Sequence, residues 1–126
     1  MSISPFLFCD DAAASADFLV EAFGFTGESV HRDETGNAVV ATVRMGDQLV
    51  YLARPHEGQF EPPRAEAVLN ALTMVVVDDV DAVFARAEKA GARIEFPPTD
   101  MDYGQREFGV RDLDGHYWSF ATTLTA

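Results

Sequence analysis

The chain has 126 residues, enough to bury the core of one domain. Hydrophobic residues make up 48% and charged residues 24%, which is typical of a globular protein, and no apolar run approaches the ~18 residues that a membrane-spanning helix needs. The net charge of −12 argues against nucleic acid as a partner.

The first half of the chain has one strand pattern, one helix pattern and then three strand patterns. An apolar run at residues 3–9 predicts the first strand. Asp10 or Asp11 can cap the helix that follows, because a carboxylate accepts hydrogen bonds from the unpaired amides of the first turn. This helix has an apolar stripe at helical spacing and ends near Gly24. The three further strands are predicted at residues 25–32, 38–44 and 48–53.

The second half has the same order of elements. A proline-rich stretch at 55–68 predicts a connector, and a strand at 69–77 follows it. A helical stripe then runs from Val80 to Ala87 and ends near Gly91. Strands are predicted at 93–96, 105–112 and 116–122. We therefore expect a single domain, 1–126, with a first βαβββ module at 1–54, a connector at 55–68 and a second βαβββ module at 69–126.

The two halves also share local sequence. Phe8-Cys9-Asp10-Asp11 is matched 68 residues later by Val76-Val77-Asp78-Asp79, and each phrase precedes a predicted helix. Turn residues recur at nearly the same offset. Two copies of one supersecondary unit indicate a pseudo-twofold architecture with a site where the copies meet.

The last strands make a family resemblance specific. Residues 103–120 contain a tyrosine-glycine pair, an Arg-Glu-Phe strand and an Asp-x-Asp-Gly turn that enters an aromatic strand. This stretch resembles the vicinal oxygen chelate superfamily, and more narrowly the glyoxalase/bleomycin-resistance protein/dioxygenase group. The resemblance implies an α+β fold in which two βαβββ modules form an open, cup-like eight-stranded mixed sheet. It also implies a ligand on the concave face and a homodimer.

Metal-using members of that superfamily place ligands early on the first strand and late on the last strand of each module. The matching positions here are Ser4, Leu72, Ser119 and Tyr51, or Val50 if one turn is a residue shorter. Hydroxyls and an aliphatic side chain do not supply the imidazole or carboxylate ligands that a divalent ion needs. The histidines, His31, His56 and His116, fall in three separate settings without metal-ligand spacing. We therefore expect no metal and no cofactor.

Side chains alternate along a strand, so residues of equal parity share one face of the sheet. This alternation predicts a concave face that is apolar and aromatic, with hydroxyls for orientation, as in small-molecule pockets. Arg106 and Glu107 are neighbours on one strand and must face opposite ways, and Arg106 is taken as the inward one. The predicted ligand-binding residues are Ser4, Phe6, Phe8, Tyr51, Leu72, Met74, Tyr103, Arg106, Tyr117 and Ser119.

Three functions are compatible with these patterns, and we rank the first above the second and the second above the third. The first is a metal-free binding protein of the bleomycin-resistance type, with an aromatic or cationic antibiotic as ligand. The second is a metal-dependent enzyme of the same superfamily, a glyoxalase-like lyase or a dioxygenase. The third is a protein with a filled cup that acts only through interactions. The single cysteine, Cys9, and an N-terminus without a secretion pattern lead us to expect a cytoplasmic protein.

Overall fold

The computed structural model describes residues 1–55, 58–64 and 66–124, so His56 lies outside the described residues. In chain order the elements are β1 (Phe6–Phe8), α1 (Ala12–Phe23), β2 (Thr26–Arg32), β3 (Ala38–Met45), β4 (Gln48–Ala53), β5 (Thr73–Val76), α2 (Val80–Lys89), β6 (Arg93–Asp100), β7 (Gln105–Arg111) and β8 (Tyr117–Thr123). The predicted α+β fold, with one βαβββ unit repeated, is confirmed.

The strands form two four-stranded sheets of identical topology. Sheet A has the order β1-β4-β3-β2, and sheet B has the order β5-β8-β7-β6. In each sheet the first strand of the unit runs parallel to the last, and the other neighbours are antiparallel. β1 and β5 are therefore equivalent edge strands.

Two strands of sheet B differ from the predicted bounds. β5 begins at Thr73 rather than at residue 69, because its parallel partner β8 begins at Tyr117 and offers no ladder partner further back. β6 continues to Asp100 through two prolines. Proline is tolerated there because β6 is an edge strand and its register shifts between Phe96 and Thr99.

Both helices begin in the same way. The side chain of Asp11 accepts a hydrogen bond from the Ala14 amide, and that of Asp79 accepts one from the Ala82 amide, each at 3.1 Å. These caps satisfy amides that have no partner within the helix. Of the two predicted cap candidates for α1, Asp11 is the one used. Within the described residues, neither helix is long and apolar enough to cross a membrane.

The two sheets share one core. Their inner faces pack against α1 and α2, and the aromatic centre joins Phe23 of α1 to Trp118 and Phe120 of β8. The rings of Phe23 and Phe120 lie 5.0 Å apart. Each sheet therefore has a second side that faces away from this core. We use "outer face" for that side of each sheet.

The Asp-x-Asp-Gly turn joins the second unit to the first. Asp114 accepts hydrogen bonds from the Ser15 hydroxyl and from the Asp10 amide. His116 donates from Nε2 to the Phe8 carbonyl oxygen at 2.7 Å. This turn therefore holds β1 and the start of α1 against sheet B.

Candidate functional site

A cavity of about 650 Å³ lies on the outer face of sheet B, between the sheet and the connector. The end of the connector and the residues before β5 contribute residues 66–72, and the sheet contributes Phe96, Glu107, Arg111, Tyr117 and Ser119. The sheet residues share a face because the register pairs Gly109 with Ser119 and Arg111 with Tyr117. We call this space the sheet B cavity.

The polar centre of the sheet B cavity is Glu107. Its side chain is only 8% exposed, and one carboxylate oxygen accepts a hydrogen bond from Ser119 Oγ at 3.0 Å. The other carboxylate oxygen accepts one from the Tyr103 hydroxyl at the rim. Donation to Glu107 raises the pKa of Tyr103, because losing that proton would place two negative charges together. The cluster thus presents a carboxylate held by two neutral donors.

Aromatic rings lie beside this carboxylate. Gly109 has no side chain, so Tyr117 and Phe96 can approach its backbone closely. The guanidinium of Arg111 lies 5.5 Å from the centre of the Tyr117 ring and forms an ion pair with Glu95 at 2.7 Å. Burial raises the pKa of Tyr117, so its hydroxyl stays protonated. The cavity wall therefore combines ring surfaces with fixed polar groups.

A second cavity, of about 550 Å³, lies where the two units meet, and we call it the seam cavity. Ser4, Leu72 and Met74 line it, and Leu72 also lines the sheet B cavity. Leu72 and Met74 are half-exposed. The two cavities therefore adjoin along the start of β5.

The aromatic residues predicted on the first unit lie on the outer face of sheet A. Phe6 and Tyr51 stack with ring centres 5.8 Å apart, and Phe8 stacks on Phe60 of the connector at 4.5 Å. Tyr103, Tyr117 and Ser119 lie on sheet B. Phe6 and Tyr51 line neither the sheet B cavity nor the cavity where the two units meet.

Arg106 does not line either cavity. Its guanidinium forms ion pairs with Asp81 of α2 at 3.1 Å and with Asp100 at 3.0 Å. Strand alternation places it on the opposite face of β7 from Glu107. Arg106 is the predicted inward residue, but the register of β7 against β8 places Glu107, not Arg106, on the face that Ser119 shares. Phe96 and Arg111 were also absent from the predicted site, although their parity with Gly109 and Tyr117 becomes clear once the register is known.

The side chains at the superfamily's metal-ligand positions show whether this chain could bind a divalent ion there. Ser4 and Leu72 line the seam cavity, Ser119 donates its hydroxyl to Glu107, and Tyr51 packs on Phe6. None of these side chains is an imidazole or a carboxylate, so the set does not fit a divalent ion. Across residues 1–55, 58–64 and 66–124, no three His, Cys, Asp or Glu side chains are grouped to hold a metal.

Comparisons with known proteins agree with the fold. A sequence model of the Glyoxalase/Bleomycin resistance protein/Dioxygenase superfamily matches residues 3–120. The chain is 32% identical to Uncharacterized protein Rv0887c of Mycobacterium tuberculosis over 127 residues, which covers 94% of this chain and 72% of that protein.

Two crystal structures have the same architecture. TioX from Micromonospora sp. ML1 is 31% identical with a TM-score of 0.77, and the match covers 98% of this chain and 99% of TioX. TnmS3, described as an antibiotic binding protein from Streptomyces sp. CB03234, is 21% identical with a TM-score of 0.69. That match covers 96% of this chain and 92% of TnmS3, and at this identity it is a likeness of fold.

Proposed function

Since this chain belongs to the Glyoxalase/Bleomycin resistance protein/Dioxygenase superfamily, we propose that it binds a small organic molecule without a metal. The observation that supports this most directly is the sheet B cavity, which Phe96 and Tyr117 line together with the hydrogen-bonded pair Glu107 and Ser119. Concave sites with an apolar wall and a few fixed polar groups are the usual form of ligand pockets. The hydroxyl and aliphatic side chains at the superfamily's metal positions support the metal-free part of the proposal.

The ligand class that we propose is an aromatic or cationic antibiotic. TnmS3, which has the same fold, is described as an antibiotic binding protein. Flat ring systems match the faces of Tyr117 and Phe96, and aromatic pairs add to the free energy gained from buried area. The net charge of −12 attracts cations at long range.

We further propose that the protein acts as a homodimer. Leu72, Met74 and Val76 form a row on the outer side of edge strand β5 and are 54%, 52% and 57% exposed. A row of half-exposed apolar side chains on an edge strand favours cover by another chain. A second copy would also bring its sheet A face, with Phe6 and Tyr51, towards a sheet B face.

Cys9 supports a proposal for the cellular location. This thiol is buried and unpaired, and a free cysteine fits a reducing compartment. We propose a cytoplasmic protein, and fractionation of the native host with an antibody to this chain tests the location.

Ligand binding is tested by titrating the protein with bleomycin and following backbone amides by NMR. We expect saturable shifts at Glu107, Tyr117 and Ser119, with none at the distant turn around Gly36. Tyr117→Leu keeps apolar bulk but removes the ring, and it should weaken binding while the protein still melts cooperatively. The absence of any saturable shift at micromolar bleomycin would exclude that compound class as the ligand.

The metal-free proposal is tested by elemental analysis of protein purified without chelators. We expect nickel, zinc, manganese and iron each far below one atom per chain. A stoichiometric amount of any of them, retained after dialysis, would instead favour the enzyme hypothesis.

The dimer is tested by sedimentation of wild type and of Met74→Glu. A charge in the β5 row should give monomers that keep their secondary structure, because burying an unpaired carboxylate in an interface is costly. Leu113→Glu is the matched control, since Leu113 is equally exposed but lies in a turn. A monomeric wild type, or equal dissociation by both variants, would contradict the proposed interface.

A further inference from the structure

Among the residues that the structure describes, the buried acid Glu107 has no ion-pair partner. Its oxygens accept hydrogen bonds from Ser119 and Tyr103, and neither oxygen takes part in an ion pair among the described residues. Both oxygens therefore act as acceptors, and both of their partners are neutral hydroxyls. Buried charges are normally paired, so a carboxylate that lines an open cavity indicates a missing positive group.

The neighbouring cation, Arg111, is already engaged. Its Nε binds Glu95 at 2.7 Å, another of its nitrogens donates to the Gly115 carbonyl oxygen at 3.2 Å, and its guanidinium lies over Tyr117. These contacts direct its charge towards Glu95 rather than Glu107. Arg111 also shows that the ring of Tyr117 accepts a cation on its face.

The surroundings of Glu107 suit a planar cation. Gly109 is two residues along β7 on the same face, and the Tyr117 hydroxyl and the edge of Phe96 converge over it. A carboxylate beside aromatic rings stabilises a positive group through charge-assisted hydrogen bonding and through ring electrostatics together.

We propose that Glu107 is the specificity-determining residue of the sheet B cavity and that it binds a protonated nitrogen on an aromatic ligand. This inference rests on the proposed function, because it names the charge and the anchor of a ligand held at the same site. It requires ligands with a protonated nitrogen to bind more tightly than neutral ligands of the same shape.

The test uses two planar probes of similar size, 9-aminoacridine, which is a cation at neutral pH, and acridine, which is neutral there. Binding to the wild-type protein is measured by calorimetry at physiological salt. We expect 9-aminoacridine to bind at least about tenfold more tightly than acridine, as a charge-assisted hydrogen bond implies. Equal affinity for the two probes would overturn the inference.

Glu107→Gln tests the role of the residue itself. The variant removes the charge, but its amide oxygen can still accept a hydrogen bond from one of the two hydroxyls. We expect this variant to lose about tenfold in affinity for 9-aminoacridine and to keep its affinity for acridine. Glu88→Gln is the matched control, since it removes one negative charge from the exposed surface of α2. An equal loss in both variants would assign the preference to net charge and overturn the role of Glu107.

The experiments separate ligand binding in the sheet B cavity from the role of Glu107 as the anchor. If acridine and 9-aminoacridine both bind and Glu107→Gln changes neither affinity, the cavity binds ligands but the anchor is wrong. If neither probe binds saturably, the anchor is overturned, and the bleomycin titration decides separately whether the proposed function stands. Should Glu107→Gln fail to fold, the wild-type preference between the probes still decides whether the site selects a cation.

Discussion

The side chain of Asp112 accepts a hydrogen bond from Nε1 of Trp118 at 3.0 Å, and both side chains are buried. The other Asp112 oxygen accepts from the backbone amides of Asp114 and His116, each at 3.0 Å. Burial raises the pKa of this carboxyl, since charging it in the core is unfavourable. One side chain thus fixes both the turn that contacts the first unit and the largest ring of the core.

We predict that Asp112→Ala lowers the free energy of unfolding by about 3 kcal/mol, because a buried indole N–H and two turn amides lose their acceptor. Urea denaturation followed by circular dichroism measures the change. Glu34→Ala, an exposed acid in another turn, should change stability by less than about 0.5 kcal/mol. Similar values for the two variants would mean that the Asp112 hydrogen bonds contribute little.

Most of the fold was predictable because its signals are local and occur twice. The Asp-Asp phrase before each helix, the helical stripes and the turn glycines fix the order of elements in both units. Asp11 and Asp79 cap their helices as a carboxylate before an apolar stripe predicts. The bounds of β5 and β6 were less accurate, since a strand ends where its neighbour ends, and the neighbour is distant in sequence.

The site was less predictable, for two physical reasons. Alternation shows which residues of one strand share a face, but the register between β7 and β8 decides whether Arg106 or Glu107 joins Ser119. The chain between the units also contacts both sheets, through Phe60 on sheet A and residues 66–72 on sheet B, and nothing in its proline-rich sequence indicates these contacts. The predicted aromatic residues therefore divide between two outer faces of one chain.

Because of Cys9, the free energy of unfolding should depend on pH in the alkaline range. Burial is the main cause that raises its pKa from 9.0 to about 12. Above pH 9 the unfolded chain loses the thiol proton while the folded chain keeps it. The stability due to the neutral thiol is therefore fully present below pH 9 and is lost as pH rises towards 12.

We predict that, between pH 9 and 11, the free energy of unfolding of the wild type falls more steeply than that of Cys9→Ala. The difference should approach about 1.4 kcal/mol per pH unit, the value for one proton. Comparing the two slopes cancels tyrosine and lysine ionisation, and it also cancels the constant cost of the lost sulfur. Parallel slopes would contradict the raised pKa.

Arg86 should stabilise the junction between the helices. From α2 its guanidinium donates to the carbonyl oxygens of Glu21 and Val20, at 2.8 and 3.0 Å, where α1 ends. Those carbonyls have no partner within their own helix, and a cation there opposes the helix dipole. Arg86→Ala should cost about 1 kcal/mol in chemical denaturation, whereas Lys89→Ala in the same helix should cost only a few tenths of that. Equal effects would show that the contact with α1 is not needed.

Adding a single carbon atom at Gly109 should disturb the wall of the sheet B cavity. A Cβ at this position would lie 2.6 Å from Cε1 of Phe96 and closer still to the Tyr117 hydroxyl, so both rings must move. We predict that Gly109→Ala lowers stability by about 1–3 kcal/mol and weakens binding of 9-aminoacridine, because the displaced rings no longer flank Glu107. Gly27→Ala is the matched control, since it adds the same carbon in β2 at an ordinary 4.0 Å from Val20.

Neither glycine has a positive φ, so any difference between the two variants reports crowding rather than backbone strain. Unchanged stability and probe affinity in Gly109→Ala would show that Phe96 and Tyr117 need not lie where they do for the cavity to bind.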